Sequence, residues 1–163
     1  WDRADVEIPR LSPNTFIKLP KNIKTYLQKE GFTIPQSYFN RKVHNVISGQ
    51  FAKRGQNDWA VLASRDRISE ILIFWNGSVK SIAKIGRAPD KGFLQVVEGN
   101  GKIGFSRLIS SVGKDIILRD YQEFGGTKPP PITHQGIDDA FVEKASGVHY
   151  FYHGRWIELQ GAD

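Results

Sequence analysis

Five consecutive apolar residues, Ile71-Leu72-Ile73-Phe74-Trp75, followed at once by Asn76-Gly77, restrict this chain more than any other stretch. The run is short for a helix and apolar on both faces that a strand presents. It therefore reads as a central strand covered on two sides. Asn-Gly supplies the positive-φ residues that a tight hairpin turn requires, and residues 79–85 read as the returning partner. A second hairpin is expected where Gly99-Asn100-Gly101 separates the strand-like stretches 93–97 and 102–105. Residues 43–51 and 59–63 read as two further strands, and residues 141–159 as two more that turn at His153-Gly154. Gly136-Ile137-Asp138-Asp139 reads as a turn, because Asp favours turns for its own backbone hydrogen bonds.

Two short helices complete the pattern. Over 20–30, Pro20 suits a first turn, Ile23, Tyr26 and Leu27 form one apolar stripe, and Gly31 is a natural stop. Over 114–124, Ile117, Tyr121 and Phe124 share a face, and Gly125-Gly126 closes it. Residues 1–18, punctuated by Pro9 and Pro13, read as an irregular arm. With 163 residues and 39% apolar composition, a single domain spanning 1–163 is expected. The expected fold class is α+β, mainly antiparallel sheet or sandwich built of hairpins.

An internal echo supports that class. Gly55-x-x-Asp58 precedes one apolar strand and Gly136-x-x-Asp139 another. Each block then runs through a loop, an apolar strand and a tight Gly turn, at Gly77 and at Gly154. The first block resembles a degenerate FG-GAP or VCBS-type β repeat over residues 46–77. Val46-Ile47-Ser48-Gly49-Gln50-Phe51, a six-residue loop and Asp58-Trp59-Ala60-Val61-Leu62 carry the likeness. That resemblance implies calcium held by loop carboxylates. The loop departs from the pattern, since Ala52, Lys53, Arg54, Gly55 and Gln56 offer none. A metal-free version is thus implied, and no cofactor or metal is expected. The chain as a whole resembles bacterial exported proteins, which implies a secreted or periplasmic place. Its first five residues do not read as a signal peptide, and the lack of any Met is expected of a mature or trimmed chain.

Several chemistries are excluded or weakened. With no Cys there is no disulfide, thiolate nucleophile or Cys-bound zinc. No apolar run approaches membrane-spanning length. The net charge of +6 sits entirely in residues 1–54, which hold 10 basic and 4 acidic side chains. No catalytic residue is assigned. The densest polar cluster is His134, Asp138, Asp139 and Glu143, in which an imidazole and carboxylates would suit hydrolysis. The aromatic inventory favours binding: Tyr150, Tyr152, Trp156, Trp59 and Trp75 all lie in the echoing blocks, and such rings stack on sugars or anchor protein partners. The first expectation is a non-enzymatic, exported binding module for a protein or polysaccharide partner. The alternative is a small hydrolase built on His134 with Asp138, Asp139 or Glu143. A third reading, nonspecific nucleic-acid binding through the basic third, is the weakest. Self-association through sheet edges is a further possibility for a hairpin-rich chain.

Overall fold

Consecutive strands of this chain pair with each other, so the echo in the sequence becomes two meanders. A computed structural model describes all residues, Trp1–Asp163. In chain order the elements are helix α1 (Asp2–Glu7), β1 (Arg10–Leu11), α2 (Lys21–Lys29), β2 (Ile34–Pro35), β3 (Val46–Gly49), β4 (Asp58–Arg65), β5 (Ile68–Phe74) and β6 (Ile82–Pro89). They continue with β7 (Leu94–Val96), β8 (Ile103–Phe105), β9 (Arg107–Val112), α3 (Lys114–Phe124), β10 (Gly136–Phe141), β11 (Ala145–Tyr152) and β12 (Arg155–Gln160). Two four-stranded antiparallel sheets have the orders β3-β4-β5-β6 and β12-β11-β10-β9, and the ribbons β1-β2 and β7-β8 flank them. The α+β class expected from the hairpin signals is the class observed.

The period-2 alternation of strands sorts side chains into layers. Ala60, Leu62, Ile71 and Ile73 of the first sheet meet Ile109 and Ile137 of the second, closed by Phe51, Leu94 and Phe105. The opposite face of the first sheet, Val61, Ala63, Leu72 and Phe74, packs on Ile23 and Leu27 of α2. The opposite face of the second sheet sets Val148, Tyr150 and Leu159 against Ile117 of α3. The order of layers is therefore helix, sheet, sheet, helix. The run from Ile71 to Phe74 is fully buried, as a doubly covered strand requires.

Polar pins hold these layers in register. Asp58 is fully buried and accepts from the backbone N–H of Phe51 (3.0 Å), Ala52 (3.2 Å) and Asn76 (2.7 Å), and from the Gln56 amide (2.8 Å). Its carboxylate thus fastens the loop before β4 to the turn after β5. Asn45, also buried, donates to the carbonyls of Pro35 and Arg107 and accepts from Ile109 N–H. Arg107 lies wholly inside, 1% exposed. It donates to both Asp139 oxygens (2.9 and 2.8 Å), to the Gly86 carbonyl (2.6 Å) and to Ser69 (3.3 Å), and its guanidinium lies over the Phe93 ring. The register shift opposite Ser69 and Ile71 is a bulge in β6, at Gly86 and Arg87. Gly86, at φ +64°, is needed there, since a Cβ would stand 2.7 Å from the guanidinium.

Some expectations are corrected. The arm 1–18 is not irregular throughout: it contains α1 and β1, and Arg10 ties it to Asp5 and to the buried Asp90. Gly136-Ile137-Asp138-Asp139 is not a turn but most of β10; the turn falls later, at 142–144. The preference of Asp for turns yields because Arg107 and His149 hold Asp139 within the sheet, and Gly136 lets Val148 approach. Strand β9 gave no recognisable pattern in the sequence. Strand β6, an outer edge, carries the exposed Lys84 and Arg87 and ends at Pro89, features that discourage edge pairing.

Truncating one member of a buried ion pair leaves the other uncompensated. Arg107→Ala is expected to lower the unfolding free energy by about 3–5 kcal/mol, measured by denaturant melts, with Arg107→Lys recovering only part because one ammonium cannot replace the fork.

Candidate functional site

The five aromatic residues singled out from the sequence occupy three different places. Tyr150 is fully buried beneath α3; its hydroxyl accepts from Thr133 N–H and its ring stacks on His134 at 4.3 Å. Tyr152 packs against the same core cluster. Trp75 and Trp156 come together across the two sheets, centroids 5.7 Å apart and nearly parallel, with Phe151 wedged against both. Trp59 sits on the far face of the first sheet, beside Phe16, Ile17 and Val43. The rings do not form one strip.

The polar cluster is likewise divided. Both ring nitrogens of His134 lie against carbonyl oxygens, those of Gln135 (2.9 Å) and Phe151 (2.8 Å). Asp138 and Asp139 are neighbours on β10 and so project from opposite faces. Asp139 points between the sheets, where burial raises its pKa but the bonds from Arg107 and His149 outweigh that and bring it below the ordinary value. Glu143, in the turn after β10, accepts from the Tyr38 hydroxyl. The basic excess of the first third is also dispersed. Arg3 and Arg10 are in ion pairs, four lysines lie on or before α2, Arg41 and Lys42 are in a loop, and Lys53 and Arg54 are in the turn before β4.

What does converge is a cleft of about 390 Å³ over the outer face of β9, β10 and β11, on the part that α3 leaves uncovered. Leu108, Ala140, Phe141, Val142 and Ala145 make its walls, Phe39 stands at its rim, and Asp138 and Ser146 are the polar groups of its floor. One wall is the segment after β12, stitched down by Ser146, whose N–H donates to the Ala162 carbonyl and whose hydroxyl accepts from Ala162 N–H. Gly161 leaves no room for a Cβ there, which would overlap that hydroxyl.

The rim residue Phe39 belongs to a loop clamped at its neck. Gln36 and His44 exchange two hydrogen bonds, the Gln36 amide to the His44 carbonyl (2.8 Å) and the His44 N–H to the Gln36 side-chain oxygen (2.9 Å). Ser37 N–H donates to His44 Nε2 (2.7 Å), so the ring carries its proton on Nδ1, which meets the Lys42 carbonyl. Burial holds His44 below the ordinary histidine pKa, against the pull of that carbonyl. The loop so closed displays Phe39, Arg41, Lys42 and Val43 to solvent. Tyr38 ties it to the hairpin turn: its hydroxyl donates to Glu143 and accepts from Gln95, which also donates to the Val142 carbonyl. Burial and the Glu143 carboxylate push the Tyr38 hydroxyl up to about 12.

Asp138 is the unusual group of the cleft. Burial raises its carboxyl to about 6, with Asp139 and the buried Asp120 of α3 adding to the rise and the Ser146 hydroxyl and His149 opposing it. Of the residues that build this site, Asp138 and Glu143 belong to the polar cluster marked by the sequence. Tyr38, Phe39, Gln95 and Ser146 were missed, and no local pattern marks them, since four distant segments bring them together. The one available clue was that adjacent Asp residues within a strand must face opposite ways.

No family model matches the chain, and no curated protein or solved structure does so either. No helix is long and apolar enough to cross a membrane.

The raised pKa of Asp138 makes a stability statement. Its unfolded value is 3.8 and its folded value about 6, so the native state binds the proton more tightly and stability is lost as pH climbs from 3.8 to about 6. Asp138→Asn is therefore expected to stabilise the protein at pH 7 by about 1–3 kcal/mol. The gain should vanish below pH 4, as measured by denaturant melts at both pH values.

Proposed function

We propose that this chain is a non-enzymatic binding module for a protein partner, and that the partner is engaged at the cleft over β9–β11. The observation that carries this reading is a cleft whose side and rim are fixed from behind. Ser146 fastens one, and the Tyr38–Glu143–Gln95 bonds and the Gln36–His44 neck fasten the other. A preformed cavity loses little conformational freedom on binding, which is how modest contact areas give useful affinity. Phe39 at the rim, 58% exposed, supplies the kind of aromatic anchor that protein interfaces favour.

Wall chemistry favours a protein over a polysaccharide. Leu108, Ala140, Phe141, Val142 and Ala145 are apolar and make up most of the lining with Phe39 and Ala162, and the groups that can bond a ligand are Asp138, Ser146, Glu143, Lys144 and Asp163. A sugar brings hydroxyls on every side, and burying them without partners is costly. The Trp75–Trp156–Phe151 cluster, the strongest sugar-stacking candidate by composition, turns its rings against one another instead. Hydrolysis by the polar cluster finds less support, since His134 stands against two carbonyls and Asp139 against Arg107, away from the cleft that holds Asp138.

Screening a set of small apolar, aromatic and charged molecules by amide NMR tests the location. Shifts are expected at residues 138–146 and at Phe39, and Ala140→Leu, which fills the cleft, should abolish them. Shifts that centre on Trp75 and Trp156 and survive Ala140→Leu would overturn the assignment.

A further inference from the structure

We propose that the group this cleft takes is a primary alkylammonium, the lysine side chain of the protein partner, with the Asp138 carboxylate as its counter-ion. The proposal rests on the binding reading above and names the chemistry of the same site.

Charge accounting within the fold leads to it. The other aspartates withdrawn from water have charged or N–H partners: Asp139 has Arg107, Asp90 and Asp5 have Arg10, Asp120 has Arg119, and Asp58 has four N–H donors, although one oxygen of Asp90 stays without a hydrogen bond. Asp138 makes no ion pair, although it is largely withdrawn from water and lies in a chain of net charge +6. The carboxylates of Asp139 and Asp120 stand near enough to raise its pKa, so the floor carries a negative field that an entering cation relieves.

The shape of the donor set points to lysine rather than arginine. One carboxylate beside one hydroxyl suits a point charge with three rotatable donors, whereas a guanidinium fork is best met by two parallel acceptors. Beside that floor Leu108, Ala140 and Ala145 are aliphatic, which matches the four-carbon stem of lysine, while Glu143, Lys144 and Asp163 supply the charged part of the lining.

The affinity should follow the ionisation of Asp138. The groups that bear on it are Asp139 on its own strand, His149 on β11, Asp120 on α3, Glu143 and Lys144 at the turn, and Asp163 beyond β12. Because its carboxyl titrates at about 6, the pairing anion is present at pH 7.5 and largely lost at pH 5.

The test is amide NMR titration of the full chain with acetyl-Gly-Lys-Gly-amide, the same peptide with norleucine in place of lysine, butylammonium, and a glucosamine oligomer. The lysine peptide is expected to shift residues 138–146 and to bind about tenfold tighter than the norleucine peptide at pH 7.5. That preference should disappear in Asp138→Asn and at pH 5. Equal binding of lysine and norleucine peptides would overturn the counter-ion proposal while leaving the cleft as a binding site. Tighter binding of the glucosamine oligomer, or of butylammonium, would overturn the protein source. Silence of the cleft toward every probe, in a protein whose fragment screen is also silent, would overturn both readings.

Discussion

The ion pair between Arg107 and Asp139 is the constraint from which the rest follows. It lies between two sheets that otherwise meet through aliphatic side chains, and it reaches across to Ser69 and the Gly86 carbonyl of the facing sheet. A guanidinium taken out of water is tolerable only when its donors are met. Here they are met by a carboxylate from β10, the Ser69 hydroxyl of β5 and the Gly86 carbonyl of β6, so the pair engages three strands. Once Asp139 is turned inward by this pair, strand alternation throws Asp138 outward, onto the face that α3 covers only in part. The unusual carboxyl of the surface is thus a consequence of the satisfied one in the core.

How much of this was legible in the sequence depends on the range of the interaction. Strand β5, the helices α2 and α3 and the Gly99-Asn100-Gly101 hairpin were all readable, because apolar periodicity and turn chemistry are local. The echo of two hairpin blocks was readable too, and it corresponds to two four-stranded meanders, though the matching aspartates do different work. Asp58 begins a strand and caps a loop, whereas Asp139 sits mid-strand in an ion pair. The turn expected at Gly136 failed for a non-local reason, a partner on β9 more than two dozen residues away. The aromatic strip failed likewise. Side-chain alternation assigned Tyr150 and Phe151 to opposite faces, but which face met α3 and which met Trp75 is set by tertiary packing.

The cleft illustrates the same limit from the functional side. Its members come from the loop at 37–44, from β7, from the β10–β11 hairpin and from the segment after β12. None of these carries a motif, and Gln36 and His44 acquire their role only by closing on one another. One ionisable group is held in a costly state there at neutral pH, a carboxyl in the floor whose charge is disfavoured. Sites that forgo stability in this way are where binding tends to be found, because a ligand can restore what folding leaves uncompensated.

The most direct measurement is a carbon-13 NMR titration of the Asp138 side-chain carboxyl in the free protein. The account expects a midpoint near pH 6, set by burial in the cleft with Asp120 and Asp139 behind it. A midpoint near the ordinary 3.8 would mean a solvated carboxylate in an open surface, and would contradict the cleft as described.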